Sequence, residues 1–307
     1  MFSVRKLEKQ EINRRISTDP TVFIEEEEAR YRGEIEQLCA LLEQRRCRQI
    51  MLLSGPSSSG KTTTAHLLCD HLRMRGADVH VVSLDDFYRG RGLAPQLPDG
   101  SYDYESPLAL DLERLELCMQ QLVRDGETLL PQYSFEKGRP LDEQIPLKIS
   151  AQSIVIFEGI HALQPAIGTH LPQENLTRLF INTLSPIYDD GKKLLARRDI
   201  PLTRRLLRDE RFRNSPPDNT MHMWQQVMRG ESLYLFPYTK EVNAVIDTTH
   251  AYEPCILGHE LLPRLEQIPA TSPYRRDADL LAEKLRKFAK LPPSMLPERS
   301  LLREFLG

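Results

Sequence analysis

The chain has no long hydrophobic run. Nowhere in its 307 residues does a stretch reach the roughly 18 apolar residues of a membrane-spanning helix. The opening MFSVRKLEKQEINRR has no apolar core for a secretory signal. An excess of one charge is also missing: 41 Lys and Arg against 44 Asp and Glu leave a net charge of -3. That balance argues against a general nucleic-acid or membrane-surface binder. Cysteine is scarce. Cys39, Cys47, Cys69, Cys118 and Cys255 make an odd number with no Cys-x-x-Cys pair, so reduced structural thiols are expected. Internal repeats and low-complexity segments are absent. These absences predict a soluble, cytoplasmic protein with neither nucleic acid nor membrane as partner.

What is present suffices for a sizeable core. The chain is 40% hydrophobic, and its length fits one large α/β domain or one and a half ordinary ones. Residues 1–20 are polar and mixed in charge. Residues 22–47 read as a helix, with Glu25 to Glu28 near its start and Arg45, Arg46 and Arg48 near its end. That order suits the helix dipole. Leu38, Leu41 and Leu42 give it an apolar face, and the acidic run reads as a solvated one.

Short apolar runs follow at Ile50–Leu53, Val79–Leu84, Ile154–Phe157, Leu179–Asn182 and Ala244–Ile246. Each reads as a buried strand. Helices are expected from Lys61 to about Arg75, with Gly76 as stop, at 107–124, ending near Gly126, and at 276–289. Residues 266–275, with Pro269 and Pro273, read as a connector. Strands alternating with helices predict a parallel sheet covered on both faces. The helices at 22–47 and 276–289 offer surfaces for a homo-oligomer, with packing against their own domain as the alternative.

One motif carries specific chemistry. Gly55-Pro56-Ser57-Ser58-Ser59-Gly60-Lys61-Thr62 satisfies the full P-loop pattern, between a predicted strand and a predicted helix. Backbone N–H groups of such a loop, including that of Thr63, turn toward phosphate oxygens at the positive end of the helix. Lys61 should reach the outer phosphates, and Thr62 should place its hydroxyl on Mg²⁺. The motif predicts nucleotide binding without choosing a reaction. Neither Asn-Lys-x-Asp nor Leu-Ser-Gly-Gly-Gln occurs, which weakens the GTPase and transport-ATPase readings.

In a parallel sheet the ligand crevice lies beyond the carboxyl ends of the strands. Two other predicted strands deliver carboxylates there: Asp85 with Asp86, and Glu158. An alcohol acceptor needs a group that takes or orients its proton, and Mg²⁺ needs oxygen ligands. Asp85 is read as the base, with a cap or turn residue as the alternative. Glu158 is read as the metal-side carboxylate, with a solvated loop residue as the alternative. Asp86 is a supporting candidate behind them.

A basic segment lies further along. Residues 192–213 hold nine Lys and Arg against Asp199, Asp209 and Glu210. On a helix Arg204, Arg208 and Arg211 share a face, and Arg205 can pair with Asp209. Phosphoryl transfer uses such cations over developing charge, often on a closing segment. A salt-bridged surface helix or a nucleic-acid contact are the competing readings.

Taken in order, these segments resemble the uridine kinase and phosphoribulokinase group. The resemblance rests on the P-loop, Ser83-Leu-Asp-Asp-Phe-Tyr88, Tyr102-Asp-Tyr-Glu-Ser-Pro107, Pro131-Gln-Tyr-Ser-Phe135, Phe157-Glu-Gly-Ile160 and Arg204-Arg-Leu-Leu-Arg-Asp209. It spans about 45 to 264 and looks closest to a bacterial branch of uridine kinase-like nucleoside kinases, in which His161 follows Glu-Gly-Ile. Many members of that branch carry an extra N-terminal domain, which this chain is expected to lack. The resemblance implies a P-loop kinase fold with a mobile basic lid at about 184–214. The kinase domain would span 48–264, between an N-terminal helical extension (1–47) and a C-terminal helical tail (265–307). It implies ATP and Mg²⁺ as cofactors and a small-molecule acceptor, a nucleoside first. Asp85 matches the residue that takes the acceptor proton. Glu105 and Tyr133 match positions at the ribose and the base, and Arg205, Arg208 and Arg213 match lid arginines.

The departures concern the acceptor. Glu105 stands where uridine kinases place an Asp, Ser106 replaces a His, and the base-reading His after Tyr-x-Phe gives way to Phe135-Glu-Lys-Gly-Arg139. A missing hydrogen-bond partner can change substrate preference by orders of magnitude. The expected reaction is therefore transfer of the ATP γ-phosphoryl group to a nucleoside hydroxyl, uridine- or cytidine-like. The alternatives are another sugar-like alcohol, as in phosphoribulokinase, and a non-catalytic nucleotide-dependent regulator.

Overall fold

Five short apolar runs become one parallel sheet. A computed structural model describes residues 4–44 and 47–307. Arg45 and Arg46, part of the helix expected at 22–47, lie outside the described residues. Two helices come first, α1 (Lys9–Thr18) and α2 (Pro20–Glu43). Then follow β1 (Gln49–Ser54), α3 (Lys61–Met74), β2 (Val79–Ser83), α4 (Leu112–Arg124), β3 (Ile154–Glu158) and β4 (Leu176–Asn182). The chain continues through α5 (Asp199–Arg213), α6 (Pro217–Tyr234), β5 (Ala244–Asp247), α7 (Glu253–Glu266), α8 (Arg275–Leu285) and α9 (Arg303–Leu306).

The strand order is β5-β4-β1-β3-β2, and every pairing is parallel. Alternation within β1 explains why both faces must be covered. Ile50 and Leu52 join the core with Leu115, Met119 and Leu122 of α4. Met51 and Leu53 join the opposite core with residues of α2, α3 and α7. A strand apolar on both faces can only be an interior strand. Parallel direction sends all carboxyl ends to one edge, and register aligns them: Leu53 and Ser83 both face Glu158.

Several expectations shift at their boundaries. Residues 4–20 are polar and mixed in charge, yet they form regular structure. Leu7–Glu8 pairs in parallel with Ile187–Asp189, which itself pairs with Lys192–Leu195, and α1 buries Ile12 and Ile16 one turn apart. Asp19 then starts α2 by accepting from Val22 N at 3.1 Å, with Pro20 at the first helical position. The buried stripe of α2 runs through Ile24, Tyr31, Ile35, Leu38 and Leu42, so Leu41, about 100° away around the helix, is 57% exposed. The helix expected at 107–124 is a short 3-10 turn, Pro107–Ala109, then α4, which starts late because Asp111 accepts from Arg114 N. Helix α8 ends at Leu285 rather than 289. Both α2 and α8 bury a face in the larger core of their own chain.

Among the described residues no helix is long and apolar enough to cross a membrane.

Candidate active site

The turn from β1 into α3 builds the cradle. Ser58 and Gly60 take left-handed backbone angles, φ 58° and 91°. Gly60 is also crowded, since a Cβ there would meet Leu301 Cδ1 at 2.5 Å. That combination leaves glycine as the residue that fits. Gly55, Pro56 and Ser59 are buried in the turn, while Ser57, Ser58, Gly60, Lys61 and Thr62 face a cavity of ≈ 210 Å³. Lys61 folds back on the loop and donates to the carbonyls of Gly55 and Pro56, both at 2.9 Å. Burial lowers its pKa, opposed by Glu158, Glu231 and Glu304. Thr63 donates its hydroxyl to Glu304 at 2.5 Å.

The strand-end carboxylates converge on the same cavity. Asp85 lies in a 3-10 turn, Leu84–Phe87, but is not its cap. Ser83 Oγ takes that role by accepting from Asp85 N at 3.3 Å. Glu158 ends β3 and is only 7% exposed, so it is not a solvated loop residue. Its Oε1 accepts from Thr62 Oγ1 at 3.4 Å and from Ser83 Oγ at 3.3 Å. Hydroxyl and carboxylate oxygens at one spot are a hard donor set that suits Mg²⁺. Glu105 enters from the loop after β2. Burial pushes the carboxyls of Asp85, Glu158 and Glu105 above their ordinary values. Lys61 pulls the first two back, and Arg205 is the main opposing cation at Glu105.

The basic segment divides. Arg205, Arg208 and Arg213 line the cavity, and all three meet the buried Asp209, at 3.0, 3.3 and 3.5 Å. Arg205 also donates to Ser57 Oγ at 2.7 Å. Burial lowers the pKa of Arg208, helped by Arg213. The other cations go elsewhere. Arg204, read from sequence as sharing a face with Arg208, is 0% exposed and holds Glu253 through two hydrogen bonds, at 2.7 and 3.0 Å. Arg211 reaches Leu306 O and Glu260. Lys192 and Lys193 are the exposed half of a strand outside the cavity lining.

Tyr133 is not in the cavity lining. It packs tilted against Tyr88 and edge-to-face with Phe135, ring centroids at 5.7 and 5.0 Å, while its N–H donates to Asp86 Oδ1. Burial pushes the Tyr88 hydroxyl pKa up, with the charges of Asp85 and Glu105 adding to the shift.

Sequence reasoning missed two carboxylates. Glu304 comes from the last turn of the chain and Glu231 from α6, where its Oε1 accepts from Ser57 N at 2.8 Å. No spacing rule reaches from residue 63 to 304. For Glu231 the neighbouring Gly230 gave no signal by itself, since its close approach to Glu105 shows only in the structure. His161 is 2% exposed, neither ring nitrogen has a protein partner, and burial with Lys61 nearby pushes its pKa down to about 4. The ring is therefore neutral near pH 7.

The model of the Phosphoribulokinase / Uridine kinase family matches residues 50–252. A uridine kinase of Salmonella newport is 28% identical over 199 residues, covering 64% of this chain and 85% of the relative. One of Salmonella typhimurium is 27% identical over 199 residues, with the same two coverages. Among solved structures, a candidate fructose transport system kinase from a Silicibacter species aligns with a TM-score of 0.52 and 19% identity. That alignment covers 69% of this chain and 98% of the other. At that identity the likeness concerns the fold.

Proposed function

The chain belongs to the Phosphoribulokinase / Uridine kinase family and is a phosphotransferase, and on that premise we propose that it uses ATP and Mg²⁺ to phosphorylate a hydroxyl of a nucleoside, uridine- or cytidine-like. The observation that carries this reading is one cavity that gathers the cradle, Asp85, Glu158 and three arginines. Bound at Thr62 and Glu158, Mg²⁺ would neutralise charge on the donor phosphates. The backbone N–H groups of 57–63 and Lys61 hold the donor. Arg208 and Arg213 face the group in transit, where fixed cations count for more than in water. Asp85 accepts the hydrogen bond of the acceptor hydroxyl and orients it for in-line attack. Glu105 accepts from a further hydroxyl.

The test is ADP formation from ATP·Mg²⁺ with a panel of nucleosides and sugars. Uridine or cytidine should stimulate it most. No stimulation by any nucleoside would overturn the acceptor assignment. Asp85→Asn should keep ATP binding and lose turnover by roughly 10²–10⁴-fold. Wild-type turnover in that variant would remove Asp85 from the role of base.

A second reading has its own support. Tyr133, the residue matched to the base position, stands outside the cavity, whereas Glu105 lines it. That arrangement suits a smaller polyhydroxylic acceptor without a base. The relative from Silicibacter, described as a candidate fructose transport system kinase, agrees with including sugars in the panel.

A further inference from the structure

The cradle already contains an anion. Glu231 is 2% exposed and accepts from Ser57 N at 2.8 Å. That N–H belongs to the loop that serves phosphate oxygens in this fold. Lys61 is turned onto loop carbonyls rather than outward. The donor-side groups are thus satisfied from within the chain, by a carboxylate in one case and by carbonyls in the other.

Helix α6 is built to put Glu231 there. Gly230 packs directly on the acceptor-side loop, where a Cβ would meet Glu105 Cβ at 2.6 Å. One turn later Tyr234 donates to Asp103 in the same loop, at 2.9 Å. The helix is clamped to the acceptor loop at two points and extends its carboxylate to the donor loop between them. A chance surface contact would show none of this burial or fixation.

A phosphate oxygen and the Glu231 carboxylate cannot both hold Ser57 N–H, and two anions at that spacing repel. We propose that Glu231 is a donor-affinity determinant, an anion built into the cradle that the donor phosphates displace when they bind. The inference rests on reading residues 55–62 as a phosphate cradle.

The probe is tripolyphosphate with Mg²⁺, titrated into the full chain by calorimetry. Wild type, Glu231→Gln, Glu231→Asp and Lys61→Ala are compared, with melting curves confirming that each is folded. Glu231→Gln keeps the shape and loses the charge. Glu231→Asp keeps the charge and falls one methylene short of Ser57. Both should bind tripolyphosphate tighter than wild type, by about ten- to a hundredfold, the size expected for losing one competing charge-assisted hydrogen bond. Lys61→Ala should bind more weakly. A purely structural Glu231 would leave affinity unchanged or lower it in both variants, and that outcome overturns the inference while the cradle stands. If tripolyphosphate binds neither wild type nor any variant, the cradle reading itself falls.

Discussion

Helix α5 carries arginines of two kinds. Arg204 meets one carboxylate, Glu253, and two sets of backbone carbonyls, those of Ser58 with Ser59 and of Thr248. Every direction of its guanidinium fork is answered, and no water reaches it. One turn on, Asp209 faces three arginines at once, Arg205, Arg208 and Arg213. One charge cannot neutralise three, so the three arginines also face the cavity, where Asp85, Glu105, Glu158 and Glu304 supply the carboxyl groups. The matched pair fixes the helix against the loop. The unmatched group supplies what a phosphoryl-transfer site uses. Composition alone gives both sets the same label, basic segment.

The difference can be broken at its structural end. Arg204→Met leaves Glu253 buried without its counter-ion, with only the His250 N–H still donating to it. Removing one member of a buried pair costs about 3–5 kcal/mol, and chemical denaturation should show a loss of that order. Adding Glu253→Gln should recover part of it, since the uncompensated charge is then gone. If Arg204→Met is as stable as wild type, the pair is not what holds α5 against the loop.

The functional end answers differently. Arg208→Met removes a cation that Arg205 and Arg213 already repel. Stability should stay level or rise. If Arg208 serves the transferred group as proposed, turnover with a saturating acceptor should drop by roughly 10²–10³-fold, the range for losing one such donor. A variant that instead unfolds while keeping its rate would erase the distinction between the two sets.

This division also shows where the sequence could be read and where it could not. The sheet was legible because each strand is a short apolar run, and the two central ones, Gln49–Ser54 and Ile154–Glu158, are buried throughout. Asp85 and Glu158 were legible because parallel strands end at one edge and the P-loop names that edge. Arg204 was not. Its partner Glu253 is 49 positions away, and an arginine in a charged stretch reads as solvated until the fold encloses it. Glu231 and Glu304 failed for the same reason of distance along the chain. The pairing of Leu7–Glu8 with Ile187–Asp189 failed because two- and three-residue strands carry no period to detect. Local pattern reveals elements and strand ends, while charge pairing between distant elements appears only once they are packed.

The smallest expected effect concerns pH, and it extends the contrast from cations to carboxylates. Burial raises Asp85 above its ordinary value of 3.8, with Asp86 adding to the shift and Lys61 and Arg213 opposing it. Glu158 is raised above 4.5 for the same first reason, and Lys61 again opposes. A base must be ionised, so activity should fall as pH drops through a midpoint above 3.8, by about tenfold per unit below it. The contribution of these two carboxyls to stability should run the other way. In the window between ordinary and raised values the folded chain holds protons that the unfolded chain has released, so stability present at low pH is lost as pH rises through the raised values. Asp85→Asn should weaken the pH slope of stability there, because its amide no longer titrates. A wild-type acid limb below 3.8 would mean that the cavity stabilises the Asp85 anion, as a matched ion pair would, and the contrast between the two parts of the site would then fail.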